Sequence, residues 1–187
     1  MKHNLIFKIV FCAIMAALAI SLERFSIRVS VFFKITFYAL PLLMVGLTNG
    51  VKLSLITGLV SGFLMQLLSP YGITITTFFW MLAPISWSLV ASLCMKIKIK
   101  NTRILILILV IIASISSTFL NTFAMFMDLL LINDSYYTTA MIITNLPTRL
   151  INMVLLILPY YVICLPLYDV YMKLDLQNKH QKQENEN

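Results

Sequence analysis

Long apolar runs separated by short polar connections make up most of this chain. A helix needs about 20 apolar residues to cross the ~30 Å hydrocarbon core of a bilayer. The pattern therefore predicts an all-α bundle of six transmembrane helices, with no room for a separate soluble domain. The predicted spans are residues 5–22, 35–48, 51–68, 74–95, 104–127 and 140–168.

The sequence between and after these runs predicts where turns and domain boundaries lie. Asn49-Gly50 is a turn signal between the second and third runs. Residues 1–172 are assigned to the membrane domain, and the polar, low-complexity residues 173–187 are predicted to form a disordered tail. Ala17-Leu18-Ala19 resembles a signal-peptidase site. The first run is long for a signal peptide, however, and we expect it to be retained.

Composition and charge support a membrane protein and give it an orientation. Apolar residues make up 60% of the chain and charged residues 11%, and the mean hydropathy is +0.94. A soluble domain carries about 25% charged residues. The net charge of +7 reflects basic residues at the ends and in alternate connections, so it predicts both termini in the cytoplasm rather than a nucleic-acid surface. Cytoplasmic cations on this assignment are Lys2, Lys8, Lys52, Lys96, Lys98, Lys100, Arg103, Lys173, Lys179 and Lys182.

The residues that enzymes and metal sites use are sparse. The three cysteines fall singly in different apolar runs, and both histidines are close to the chain ends. There is no phosphate-binding loop and no metal-ligand spacing. We therefore expect no catalysis, no bound metal and no cofactor.

Arg149 is the one cation deep inside an apolar run. A cation in hydrocarbon costs from about 2.5 to more than 10 kcal/mol, so it must face a protein interior, a wet cavity or an interface. Asn145 and Asn152 lie four before and three after it, on the same face of a continuous helix. This group predicts a site for a polar or anionic ligand. Alternatively, Arg149 reaches a lipid headgroup or pairs with Asp128 or Asp134.

Other side chains could complete such a site. Asn121 is the deep polar residue of the fifth run. Gln66 follows the GxxxG pair Gly58 and Gly62 by one turn and could face the same cavity. Trp80 could belong to an interfacial aromatic belt or form a stacking wall for a flat ligand.

The first run also has a face of small residues. Ala13 and Ala17 are four positions apart, which lets another helix backbone come close. They could contact a partner protein or pack inside the bundle.

With the runs in place, the chain resembles the substrate-binding membrane subunits (S components) of energy-coupling factor (ECF) vitamin transporters, and within them the folate subfamily. The resemblance extends over nearly the whole chain except the tail. The segments that carry it are KITFYALPLLMVGL at 34–47, the Gly58/Gly62 helix, SPYG at 69–72, TFFWML at 77–82, LNTF at 120–123 and NLPTRLINMVLLILPYYVI at 145–163.

This resemblance implies a multi-pass protein of the cell membrane that captures a vitamin, folate first, at its outer side. Its partners would be a transmembrane coupling subunit, docked on Ala13 and Ala17, and two ABC-type ATPases. The 23–34 and 69–76 loops would close the site. The implied binding residues are Arg149, Asn121, Asn145, Asn152, Trp80 and Phe79.

Three other functions stay open on the sequence. The ligand could be pantothenate or another small vitamin. The chain could be a membrane enzyme acting on lipid, which would need a catalytic group that the pattern does not offer. It could also be a structural assembly subunit, in which case Arg149 would have no ligand.

Overall fold

The computed structural model describes residues 2–28, 34–70, 72–97, 99, 101–132 and 137–186, with side chains omitted for residues 2–4, 28 and 175–186. Helices make up nearly all of it, and one two-stranded antiparallel hairpin lies between the first two helices. The elements are α1 Lys2–Arg24, β1 Ile27–Arg28, β2 Lys34–Ile35, α2 Ala39–Leu67, α3 Thr77–Cys94, α4 Thr102–Leu131, α5 Thr139–Thr144 and α6 Leu146–Glu186.

The first part of α2 forms the centre of the bundle. Residues 39–47 are all buried, and a helix that is apolar on every side is stable only when other elements surround it. The core around it is built from α3, α4 and α6. Its buried members include Leu42, Leu43, Trp87, Ile106, Leu109, Val110, Tyr160 and Cys164.

The chain reverses inside α2 at Gly50. This residue has φ 75° and ψ 173°, a conformation that glycine adopts readily. The Ser54 hydroxyl reaches the Val45 carbonyl oxygen at 3.4 Å, although nine residues of straight helix extend about 13.5 Å. The predicted turn at Asn49-Gly50 is therefore present.

Glycines bring α2 and α3 into backbone contact. A methyl group at Gly46 would overlap Ala91 and the Ser88 carbonyl oxygen, and one at Gly58 would lie 2.7 Å from the Ser88 hydroxyl. Ser88 also donates a hydrogen bond of 2.8 Å to the Ser54 carbonyl oxygen. The small residues thus serve close helix packing, as in other membrane bundles.

Side-chain contacts fix the hairpin and the segment after it to two helices. Lys34 forms an ion pair with Glu23 at the end of α1. From α6, Asn152 donates to the Lys34 carbonyl oxygen at 3.1 Å, and the Tyr160 hydroxyl donates to the Thr36 carbonyl oxygen at 2.6 Å. Residues 34–36 therefore bridge α1 and α6.

The prediction of an all-helical membrane protein is confirmed by the number of long apolar helices. Among the described residues, five helices are long and apolar enough to cross a membrane: Leu5–Arg24, Ala39–Leu67, Thr77–Cys94, Thr102–Leu131 and Leu146–Leu174. The predicted second and third spans both lie in α2. A helix over residues 39–49 extends about 16 Å, which is less than the hydrocarbon thickness. Six crossings and cytoplasmic termini stay predictions.

Two parts of the last predicted span differ from expectation. The helix breaks at Asn145, because Pro147 has no N–H to continue the hydrogen-bond ladder and is well placed in the first turn of a new helix. At the other end, α6 continues beyond the predicted end at residue 168 and reaches Glu186; disorder of residues 173–187 stays a prediction. A helix that is already formed extends at low cost through Lys, Gln and Glu.

Candidate functional site

One end of the bundle brings three helix ends together. The N-terminus of α3, the C-terminus of α4 and the N-terminus of α6 lie there. Trp80, Asp128 and Arg149 therefore come from distant parts of the sequence to the same end. The connection before α5 adds Tyr137, whose ring centre lies 6.3 Å from that of Trp80. Aromatic and charged side chains therefore meet in one region.

Arg149 is buried in the protein, with 9% of its surface exposed. Its side chain does not extend to a surface headgroup, which removes one of the alternatives. Its Nη1 contacts the sulfur of Met125 on α4, and a thioether is a weak acceptor for a guanidinium group that has five N–H donors. Among the described residues, no ion pair joins Arg149 to a carboxylate. Asp134 lies outside those residues.

Asp128 is bonded to Trp80 instead of Arg149. The indole Nε1–H of Trp80 donates to Asp128 Oδ2 at 3.0 Å. The other carboxylate oxygen, Oδ1, is buried and has no hydrogen-bond partner in the described part of the chain. Asp128 therefore orients the indole ring and keeps a second acceptor unused.

The three predicted asparagines have different surroundings. Asn152 lies one turn after Arg149, donates to Lys34, and keeps a buried Oδ1 with no partner among the described residues. Asn145 turns back to α5, where its Nδ2 donates to the Met141 carbonyl oxygen at 2.8 Å. The Asn121 side chain lies beside the Tyr38 hydroxyl. Asn152 and Arg149 therefore lie on one helix, whereas Asn145 lies at the end of α5, and its carbonyl oxygen accepts the backbone N–H of Arg149 at 3.1 Å.

The two remaining predicted residues, Phe79 and Gln66, lie on α3 and at the end of α2. Phe79 packs edge-on against Phe123, with ring centres 5.6 Å apart. Phe123 lies about 200° around α4 from Met125, so this aromatic pair is on another side of that helix. Gln66 is partly buried near the end of α2.

Tyr38 was not predicted from the sequence as part of the site. Its hydroxyl lies among the side chains of Ser117, Trp87 and Asn121, and burial together with the Glu23 carboxylate raises its pKa to about 12. It is therefore a neutral hydroxyl at physiological pH.

Asp128 and Met125 were also missed as site residues. Ser117, Asn121, Met125 and Asp128 recur at spacings of three or four, which is the period of one helical face. This recurrence along one face of α4 was the signal available in the sequence, although the same helix also carries Ser114, Ser116, Thr118 and Thr122.

A shallow cavity of about 200 Å³ lies elsewhere, beside the end of α1. Glu23 and Arg24 line it together with Met65 and Ser69. The Glu23 carboxylate is already in the ion pair with Lys34. Among the described residues there is no group of His, Cys, Asp and Glu that could hold a metal ion.

Ala13 and Ala17 are exposed on α1, whereas Ala16 is buried. The two alanines therefore do not pack inside the bundle, and the small-residue face that they form is open to lipid or to another protein.

The sequence of the chain matches a known protein family. The family model described as "ECF-type riboflavin transporter, S component" matches residues 3–173. No curated protein and no solved structure matches the chain.

Proposed function

Because the chain belongs to the family of ECF-type riboflavin transporter S components, we propose that it binds a vitamin with a flat heteroaromatic ring for import across the cell membrane. One observation carries this proposal. Arg149 is buried at the meeting of α3, α4 and α6, with no carboxylate partner among the described residues. A buried cation of this kind needs a partner, and a bound ligand supplies one.

Trp80 gives the site its aromatic surface. Its ring is held by Asp128 on one edge and lies 6.3 Å from Tyr137. Flat heteroaromatic rings stack favourably on indole faces, and aromatic pairs contribute about 0.5–1.5 kcal/mol beyond the burial of their area. The site therefore offers a stacking surface beside a cation.

Riboflavin is the first candidate ligand, because the matching family model describes riboflavin transporters. Folate, which the sequence resemblance suggested, is the second candidate, since its carboxylates could pair with the buried guanidinium group of Arg149. The specific prediction of folate is thus not confirmed. Both vitamins share a flat ring system that fits the Trp80 surface.

Transport would require partner proteins. We propose a transmembrane coupling subunit and two ABC-type ATPases, as the resemblance implies. Ala13 and Ala17, both exposed on α1, are the proposed contact with the coupling subunit, because small side chains allow helix backbones to approach closely. Energy from ATP would then be supplied by the partners.

The test is direct identification of the ligand. The detergent-purified chain should retain a vitamin that mass spectrometry detects after denaturation, and isothermal titration with riboflavin and folate should show saturable binding of at least one. A Trp80→Ala variant is the comparison for wild type. It lacks the stacking surface, and we expect it to bind the vitamin more weakly. Absence of binding to both vitamins by a folded wild-type protein would contradict the proposed function.

A further inference from the structure

The cavity of about 200 Å³ at the end of α1 has both apolar and charged walls. Ile20 and Met65 line its apolar side, and Glu23, Arg24 and Ser69 are among its polar residues. Pockets for drug-sized ligands have about 300–1,000 Å³, so this cavity fits a smaller group. Its walls come from α1, α2 and the residues that follow them, whereas the candidate vitamin site is built on α3, α4 and α6.

The cavity lies where two apolar helices end. The membrane-crossing candidates Leu5–Arg24 and Ala39–Leu67 both stop beside it, which places it at the level of the lipid headgroups. Exposed apolar side chains on α1 and α2 lead up to it, and in a bilayer such side chains contact acyl chains. These side chains are Val10, Ile14, Leu18, Ile56, Val60, Phe63 and Leu67. A molecule with a polar headgroup and acyl chains therefore suits both the cavity and the surface beside it.

The charged groups at the cavity include one unused acceptor and one unused cation. Glu23 Oε1 is in the ion pair with Lys34, whereas Glu23 Oε2 is buried and has no hydrogen-bond partner among the described residues. The Glu23 side chain is 24% exposed, and the torsion that turns a carboxylate is soft, so a small rotation presents Oε2 to the cavity. Arg24 is exposed and forms no ion pair within the described part of the chain.

The balance of charge at the cavity is positive. The Glu23 carboxylate stands against two cations, Arg24 in the cavity wall and Lys34 in the ion pair, which favours an anionic ligand. Glu23 Oε2 also needs a donor, because an unsatisfied buried acceptor is costly. A hydroxyl group supplies that donor without adding a second charge to the ligand.

We propose that this cavity binds the headgroup of an anionic phospholipid that carries a hydroxyl group, with phosphatidylglycerol as the probe. The lipid phosphate pairs with Arg24, and a glycerol hydroxyl donates to Glu23 Oε2. The acyl chains lie along the exposed apolar side chains of α1 and α2. This lipid site goes beyond the proposed vitamin binding and does not depend on it.

The decisive experiment compares lipids that have the same acyl chains and differ in the headgroup. Native mass spectrometry of the purified wild-type chain in an uncharged detergent measures the apparent Kd of each lipid. Phosphatidylmethanol has the charge of phosphatidylglycerol but no headgroup hydroxyl, so it should bind roughly tenfold more weakly. Phosphatidylcholine, which has no net charge and no headgroup donor, should bind most weakly. Glycerophosphoglycerol, the free headgroup without acyl chains, should not displace phosphatidylglycerol at equal concentration.

Three variants then assign the contacts. Arg24→Gln should weaken binding of both anionic lipids roughly two- to fivefold, the range for an exposed ion pair. Arg103→Gln, which removes an exposed cation at the start of α4 at the other end of the bundle, should leave both affinities unchanged. Glu23→Gln should reduce the preference for phosphatidylglycerol over phosphatidylmethanol, because the hydroxyl loses its charged acceptor. Melting curves show whether loss of the ion pair with Lys34 alters the fold.

The wild-type comparison decides the inference whatever the variants do to folding. Equal binding of phosphatidylglycerol and phosphatidylmethanol overturns it, as does equal binding of phosphatidylglycerol and phosphatidylcholine. Displacement by the free headgroup at equal concentration assigns the cavity to a soluble ligand and also overturns it. So does an Arg24→Gln protein that binds lipids as Arg103→Gln does, or a folded Glu23→Gln protein with an unchanged preference. Each of these results leaves the proposed vitamin binding standing, since that is measured with vitamins.

Discussion

The Tyr160 hydroxyl on α6 donates a hydrogen bond of 2.6 Å to the carbonyl oxygen of Thr36, 124 positions earlier in the chain. Tyr160 is 2% exposed, and its ring packs edge-on against Trp87 at 5.3 Å between ring centres. One side chain therefore joins the last long helix to the segment after the hairpin, in the middle of the core.

Removal of that hydroxyl should destabilise the protein. Tyr160→Phe keeps the ring and leaves the Thr36 carbonyl oxygen buried without its donor, which costs about 1–3 kcal/mol. Thermal melting in detergent should show a lower midpoint than wild type. Tyr161→Phe is the matched control, since Tyr161 is adjacent, only partly buried, and forms no hydrogen bond with the described residues. Equal midpoints for the two variants would contradict this role.

The contacts between α2 and α3 predict an order among glycine substitutions. Gly46→Ala should lower stability most, because the added methyl group overlaps Ala91 and a backbone oxygen. Overpacking of this kind costs about 1–3 kcal/mol. Gly62→Ala should lower stability less than Gly46→Ala, since its methyl group would lie 3.2 Å from the Met81 carbonyl oxygen, a tight contact that a small shift relieves, and alanine favours the helix. Melting midpoints that fall in the reverse order would show that this interface is more adaptable than the structure indicates.

Features that depend on local sequence were predicted well. The turn at Asn49-Gly50 follows from the need for a residue that tolerates positive φ, and Gly50 has φ 75°. The burial of Arg149 follows from the cost of leaving a cation in hydrocarbon. Both inferences need only the residue and its immediate neighbours.

Features that depend on distant residues were not predicted. Trp80 and Asp128 are 48 positions apart, and helical periodicity on α3 and α4 cannot show which faces meet. The pairing of Asn145 with Arg149 at a ligand stays a prediction. The break before Pro147 turns the Asn145 side chain to the Met141 carbonyl oxygen, while the Asn145 carbonyl oxygen accepts the backbone N–H of Arg149. The sequence could not show that Phe79 and Trp80 have different surroundings, since it does not reveal that Phe79 packs on Phe123.

Membrane topology can be tested by cysteine accessibility. In a background with Cys12, Cys94 and Cys164 replaced, single cysteines at residue 27 and at residue 132 should react with an impermeant reagent from outside. Cysteines at 52 and 101 should react only from inside, because basic connections stay in the cytoplasm. The position at 52 tests whether the short helix over residues 39–49 counts as a crossing. Outside labelling at 101 would refute the proposed orientation.

The exposed alanines of α1 predict a separation of binding from assembly. Ala13→Leu combined with Ala17→Leu should abolish co-purification with the coupling subunit and vitamin uptake, because bulky side chains prevent close helix approach. Vitamin binding to the isolated chain should persist, since both positions are exposed. Ile14→Leu, which keeps the volume of an exposed side chain next to Ala13, is the control. Loss of binding together with assembly would show that these alanines support the fold of the chain.

Arg149 gives the strongest prediction for the site itself. Arg149→Ala should weaken vitamin binding roughly tenfold to more than a hundredfold, because hydrogen bonds to charged groups contribute about 1.5–3 kcal/mol. Arg149→Lys should restore only part of the affinity, since a point charge cannot reproduce the planar donor fork of arginine. Isothermal titration with riboflavin and folate, with melting curves alongside, measures both effects.

Two comparisons show what the Arg149 result means. Arg103→Ala removes an exposed cation at the start of α4 and should leave affinity unchanged. A guanidinium group that donates to a ring carbonyl oxygen affects riboflavin and folate alike, whereas one that pairs with a carboxylate affects folate alone, since riboflavin has none. Full affinity for both vitamins in a well-folded Arg149→Ala protein would remove Arg149 from the site, and the buried cation would then need a partner within the protein.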